Sequence, residues 1–220
     1  MNNDLHARKW VMRAEMRALR ELIPDAERAE AGRAIAETVL SGRLTDPETL
    51  PSDRLRNRQS ASSEGFLIPR ITRGSVLAMY ASDGGEPDFI PILPKLLVEG
   101  VVCCFPAFRD GEMRFCTASD ATDLVPGDFG IREPGSDATY IAGEKIDVML
   151  VPGMAFDLLG ARLGRGKGFY DRYLSSVDPL FAPIRIGTAY DFQIVPEVPS
   201  AEADVRMDYI VTPTIFRSVI

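Results

Sequence analysis

Residues Asp147 to Leu174 read DVMLVPGMAFDLLGARLGRGKGFYDRYL, and this stretch decides the fold. The apolar run from Val148 to Val151 predicts a buried strand. A loop follows with Gly160, Gly164, Gly166 and Gly168, and with Arg162, Arg165 and Lys167 between them. Phe169-Tyr170-Asp171-Arg172-Tyr173-Leu174 then reads as the start of a helix. Glycine lets a backbone take positive φ and approach a ligand closely. A helix N-terminus adds unpaired N–H groups and a positive dipole end. Cations packed this densely repel one another unless an anion joins them. The segment therefore predicts a phosphate cradle built from the N–H groups of Gly164 to Gly168.

It is not one of the common phosphate loops. A Walker loop needs G-x-x-x-x-G-K-[ST]; Gly160 and Gly166 lie one residue too far apart, and Gly168 stands where Ser or Thr holds Mg²⁺. The dinucleotide pattern G-x-G-x-x-G fails too, because the run is Gly164-x-Gly166-x-Gly168.

Working outward, strands are predicted at Val76 to Tyr80, Val101 to Phe105, Met113 to Thr117, Ile146 to Val151, Ile184 to Thr188 and Tyr209 to Thr212. Helices are predicted from Ala7 to Ile23, from Asp25 to Leu40, and from a proline-interrupted start to Glu99. Strands alternating with helices give an α/β fold: three layers, α/β/α, around a mostly parallel central sheet. Ligands in such folds sit at the carboxyl ends of the strands. The turn holding Glu86 and the Gly-rich loop both follow strands, so they are expected to meet there.

The 220 residues predict one domain, with residues 42–74 as a mobile insertion loop carrying the polar tract Gln59-Ser60-Ala61-Ser62-Ser63-Glu64-Gly65. A formal charge of −7 argues against nucleic acid as a partner, which makes any local cluster of cations informative. No apolar run is long enough for a membrane span. The first residues lack the order of a secretory signal, and Cys103, Cys104 and Cys116 read as buried thiols, so a cytoplasmic protein is expected. The single histidine, His6, lies near the terminus. That leaves no Ser-His-Asp triad, Cys–His pair or zinc site, and any metal is expected to be a hard ion such as Mg²⁺.

In the first predicted helix Val11, Ala14, Ala18 and Leu22 mark an apolar stripe. Lys9, Arg13 and Arg17 follow one another at four-residue steps. Taken alone, that row of cations reads as a solvated face.

LGRGKGFYDRYL, preceded by VPGMAFD, closely resembles the signature of the 5-formyltetrahydrofolate cyclo-ligase (5,10-methenyltetrahydrofolate synthetase) family. YASDGGEPDF, FPAFRDGEMRF, DLVPGDFGIREP and RIGTAYDFQIVPEVPSAEADVRMDYIVTP resemble further family segments. The resemblance covers residues of about 7 to 30 and 75 to 215. It implies a sheet like those of the sugar-phosphate isomerase and CoA-transferase folds, and ATP-dependent cyclisation of 5-formyltetrahydrofolate to 5,10-methenyltetrahydrofolate with release of ADP and phosphate. It further implies that ATP is held by Lys9, Arg13, Arg162, Gly164, Arg165, Gly166, Lys167, Gly168, Phe169 and Tyr170. Folate is held by Tyr80, Glu86, Phe129 and Tyr170, and Mg²⁺ by Asp171 and Asp204. Lys167, Arg162 and Tyr170 are the expected catalytic groups, in a monomer or homodimer.

Three departures stand out. Ala203 replaces a usual His, Pro87 follows Glu86 in place of a β-branched residue, and residues 42–74 have no counterpart in short members. Rival readings are a non-catalytic ATP- or folate-binding relative, one acting on another formylated amine, and a sugar-phosphate isomerase or CoA-transferase relative.

Overall fold

The computed structural model describes residues 2–41 and 71–219. The expected mobile loop falls mostly on residues 42–70, outside the described residues; Thr72 to Ser75 close a turn, through a Ser75 N–H bond to the Thr72 carbonyl, that feeds the first strand.

In chain order the elements are α1 (Asn2–Arg20), α2 (Asp25–Ser41), β1 (Val76–Ala78), α3 (Leu93–Val98), β2 (Val102–Arg109), β3 (Glu112–Thr117), β4 (Leu124–Pro126), β5 (Arg132–Pro134), β6 (Tyr140–Ile141), β7 (Val148–Pro152), β8 (Ala155–Phe156), β9 (Arg162–Leu163), α4 (Phe169–Ser176), β10 (Ile184–Thr188), β11 (Tyr209–Val211) and β12 (Phe216–Ser218). Eight strands form one sheet in the order β12-β11-β10-β7-β1-β2-β3-β6. The run from β11 to β2 is parallel, with Leu77 of β1 opposite Cys103 on one side and Val148 on the other. Antiparallel strands finish both edges.

The alternation of side chains along each strand supplies two cores. Leu77, Met79, Cys103, Phe105, Val148, Leu150, Ile186 and Val211 face the layer of α2 and α3, where Ile35, Val39, Leu93 and Leu96 meet them. Ala78, Cys104, Met149, Val151 and Ile210 face the other way, toward Phe156, Phe115 and Leu174 of α4. A strand buried on both faces has no polar side to show, which is why β7 reads as an unbroken apolar run. The three-layer α/β/α arrangement with a mostly parallel sheet is thus present. All three cysteines are buried free thiols.

Local readings needed correction in three places. Val11, Ala14, Ala18 and Leu22 do not face the core; Leu22 is 76% exposed. The packed face of α1 instead carries Met12 and Met16, which join Met154, Ala161 and Leu163 beside the β8–β9 hairpin. Methionine fills such an irregular interface readily because its thioether is flexible and polarizable. Second, the predicted Gly-rich loop is in part the β8–β9 hairpin, and Gly160 belongs to that hairpin. It closes the β8–β9 turn at φ +82°, where a β-carbon would lie 2.7 Å from the Met207 carbonyl oxygen. Asp157 fixes that turn by accepting the Leu159 and Ala161 N–H groups at 3.0 and 2.9 Å. Third, residues 124–134, for which no strand is predicted, contain the β4–β5 hairpin. Each of these strands is three residues long, too short for periodicity to mark it.

Candidate functional site

A cavity of about 300 Å³ opens at the carboxyl ends of β1 and β7. It is lined by every site residue named from the sequence except Phe129: Lys9, Arg13, Tyr80, Glu86, Arg162 and Asp204, together with residues 164 to 171 of the Gly-rich loop and α4.

Helix α1 reaches the loop through two contacts. Arg13 Nε donates to the Gly164 carbonyl at 2.8 Å. Lys9 Nζ lies 2.6 Å from Asp204 Oδ2, which also accepts the Ala201 N–H at 2.7 Å. Burial lifts the Asp204 carboxyl, but these hydrogen bonds and the Lys9 charge outweigh it, so its pKa falls below the ordinary carboxylate range. Gly166 faces the Arg13 guanidinium at φ +102°, a conformation open to glycine.

Arg162 stands on β9 with its side chain almost wholly buried. It donates to Asp171 Oδ1 at 3.0 Å and to the Pro152 carbonyl at 3.2 Å, and lies 5.5 Å from the centre of the Tyr170 ring. Its Nε and the Tyr170 hydroxyl are buried without a hydrogen-bond partner among the described residues. Unsatisfied buried groups cost free energy unless a ligand meets them. Lys167 is exposed, makes no ion pair among the described residues, and rests 5.8 Å from the Phe129 ring.

The wall next to the Asp83–Glu86 turn holds Glu86, 5% exposed. Burial raises its pKa to about 7, against the opposing pull of Arg20. Arg165, expected at the phosphate rim, turns instead toward this wall: it pairs with Asp83 and lies 3.4 Å from Glu86 Oε1. Burial, then repulsion from Arg20 and Arg17, lowers its pKa to about 10. Tyr80 binds Thr188 through its hydroxyl at 3.0 Å and so faces the cavity with its ring.

Phe129 stands outside the lining, 58% exposed, at φ +61°. Its ring packs 5.1 Å from Phe108 and 5.3 Å from Phe169, so the three rings form an apolar lip next to the loop. A non-glycine residue at that φ is strained. The tight turn between β4 and β5, closed by the Gly127 N–H on the Ile131 carbonyl, imposes it.

Three participants escaped the sequence reading. Arg20, 4% exposed, donates to the Gly85 carbonyl at 2.6 Å, to Asp83 Oδ1 at 2.7 Å and to Met154 Sδ at 3.0 Å, fixing the turn that carries Glu86. Glu133 lines the cavity and is tied to Arg109 at 2.8 Å. His6, discounted for its place near the terminus, sits on the same face of α1 as Lys9 and also lines the cavity. Its spacing of three residues from Lys9 was the available signal.

As for a metal, Asp171 and Asp204 lie on the cavity wall, each already paired with a cation. No group of three or more His, Cys, Asp or Glu able to hold an ion occurs among the described residues. Nor is any described helix long and apolar enough to cross a membrane.

Known proteins of one family resemble this chain in sequence and fold. The sequence profile of the 5-formyltetrahydrofolate cyclo-ligase family matches residues 5–213. A 5-formyltetrahydrofolate cyclo-ligase of Mycolicibacterium smegmatis is 32% identical over 187 residues, covering 80% of this chain and 90% of that protein. One from Escherichia coli K12 is 30% identical over 168 residues, covering 74% and 92%. The NMR structure of Aquifex aeolicus 5,10-methenyltetrahydrofolate synthetase superposes with a TM-score of 0.70 at 27% identity, covering 96% of this chain and 92% of that one.

Proposed function

The chain belongs to the 5-formyltetrahydrofolate cyclo-ligase family, and from that membership we propose how its own residues carry the reaction. Its activity is the conversion of 5-formyltetrahydrofolate to 5,10-methenyltetrahydrofolate with ATP as co-substrate. The formyl group on N5 is amide-like, and its oxygen leaves poorly. Phosphorylation of that oxygen makes a good leaving group, and N10 of the same molecule then closes a five-membered ring. Nucleophile and electrophile share one substrate, so the protein's work is positioning and stabilising charge.

In this reading Lys9, Arg13, Arg162 and Lys167 neutralise the triphosphate and the phosphoryl group in transit, as phosphoryl transfer requires. The N–H groups of Gly164, Gly166 and Gly168 cradle phosphate oxygens, and Phe169 backs the cradle from the first turn of α4. Tyr170, its hydroxyl buried and unpartnered, donates to the oxygen being transferred. Tyr80 and Phe129 bracket the reduced pterin, and Glu86 accepts a hydrogen bond from it. Arg165 serves the folate side of the cavity. The observation that carries the reading is a single cavity lined by both the cationic loop and a buried carboxylate.

Mg²⁺ takes one or two carboxylates and completes its shell with phosphates and water. Asp171 and Asp204 fit an ion arriving with the nucleotide, not one bound by protein alone. Bound there, it would neutralise phosphate charge.

A coupled assay tests the reading: methenyl formation and ADP release are expected in a ratio of one to one, and ADP release independent of the folate would refute it. Glu86→Ala is expected to raise the folate dissociation constant by about tenfold, the value of a hydrogen bond to a charged group, with little change for ATP. Titration calorimetry with each ligand reads both, and equal losses would remove Glu86 from the folate side.

A further inference from the structure

Ring closure has a proton problem that phosphate binding does not solve. N10 enters the reaction carrying a hydrogen and leaves it without one, so something must take that proton. The chain's only histidine, His6, is exposed at the outer end of the cavity on α1. The candidates that remain are the carboxylates of the lining.

Four carboxylates line the cavity, and three are held tightly by a cation. Asp204 is 2.6 Å from Lys9, Glu133 2.8 Å from Arg109, and Asp171 3.0 Å from Arg162. Glu86 differs. Its nearest cationic nitrogens, on Arg165 and Arg20, stand at 3.4 and 3.6 Å. Asp83 takes both arginines more closely, Arg20 at 2.7 Å, and so relieves Glu86 of them. One Glu86 oxygen has a 3.3 Å contact from the Asp83 N–H. The group is thus buried, loosely paired and next to open cavity.

We infer that Glu86 is the base that removes the N10 proton during cyclisation, with the N5–N10 edge of the folate turned toward it. This deepens the cyclo-ligase reading and rests on it. The N10 lone pair forms the new N–C bond to the phosphorylated formyl carbon. The N10–H proton passes to the Glu86 carboxylate. The C–O bond then breaks, its electron pair leaving with the phosphate, and the Glu86 carboxyl hands its proton to the departing phosphate, which leaves as the hydrogenphosphate dianion. Glu86 is regenerated ionised.

The surroundings suit a group that both takes and returns a proton. Burial raises the Glu86 pKa to about 7, while Arg20 keeps it from rising further. Arg165 and Asp83 also face it, and Tyr80, Tyr170 and Tyr190 feel its charge. Burial raises all three tyrosine hydroxyls, so none of them competes as a base near neutral pH. A base with a pKa near the working pH transfers protons most effectively.

Glu86→Gln keeps the size and a hydrogen-bond acceptor but cannot take the proton. Rapid-quench single turnovers with ATP and 5-formyltetrahydrofolate separate the steps. The variant is expected to release one equivalent of ADP at close to the wild-type rate, while the methenyl chromophore forms more slowly by about 10² to 10⁴. The wild-type cyclisation rate should climb with pH through the neutral range and the variant's should not. ADP and chromophore slowed together, no ADP burst, or an unslowed chromophore would overturn the assignment and leave Glu86 a binding group at the far edge of the pterin. No ADP from the wild-type protein under any condition would instead refute the parent reading.

Discussion

Lys167→Ala is expected to lower kcat by about 10³ or more, about 4 kcal/mol of transition-state stabilisation, with the fold intact. The side chain is exposed, makes no ion pair among the described residues, and touches the protein chiefly through the Phe129 ring at 5.8 Å. Removing it therefore leaves no buried charge unpaired, and surface changes of this kind alter stability by about 0.5 kcal/mol or less. It lies between Gly166 and Gly168 on the cavity wall, and the proposed function assigns its ammonium group to the phosphoryl group leaving ATP. If the charge acts on that group in transit, kcat should fall far more than ATP affinity. Steady-state kinetics at saturating folate, with a melting curve as control, measures both. Turnover near the wild-type level would mean that the loop does not serve the phosphates.

The reason Lys167 was visible in the sequence is also the reason Arg20 was not. Lys167 belongs to a local pattern in which glycines and cations alternate, and the physics of that pattern needs no distant partner. Arg20 is buried because Gly85, Asp83 and Met154 satisfy its guanidinium, and those residues lie 63 or more positions away. Local sequence carries no trace of that agreement. The same contrast runs through the fold. Val148 to Val151 announced a central strand because burial on both faces leaves a continuous apolar run. The stripe from Val11 to Leu22 misled because helical periodicity marks a face without saying what it meets. Here the partner surface, a hairpin of two-residue strands, selected Met12 and Met16 instead. His6 shows the limit of reading position along the chain as position in space. Helix α1 lies across the ends of the strands, so its first turns reach the site.

Arg162→Ala should be the more damaging of the two loop substitutions, because it strikes both chemistry and fold. The guanidinium does three things: it pairs with Asp171, ties β9 to the end of β7 through the Pro152 carbonyl, and supports the Tyr170 ring. Its unpartnered Nε remains available to a phosphate oxygen. Truncation would remove that donor, leave Asp171 without its cation and open a void beneath Tyr170. Breaking a buried pair costs about 3 to 5 kcal/mol, and the partial exposure of Asp171 argues for the lower end, about 3 kcal/mol. For a chain of this size that is a fall in Tm of about 6 to 12 °C. Turnover should fall by at least the 10³ expected of Lys167→Ala. Arg162→Lys separates the two effects. Lysine restores a charge beside Asp171 and should recover much of the Tm, but it lacks the planar fork that holds Asp171 and Pro152 and that the proposed function turns toward a phosphate, so activity should stay low. Recovery of turnover along with stability in Arg162→Lys would mean that the residue is a strut and not part of the phosphate site.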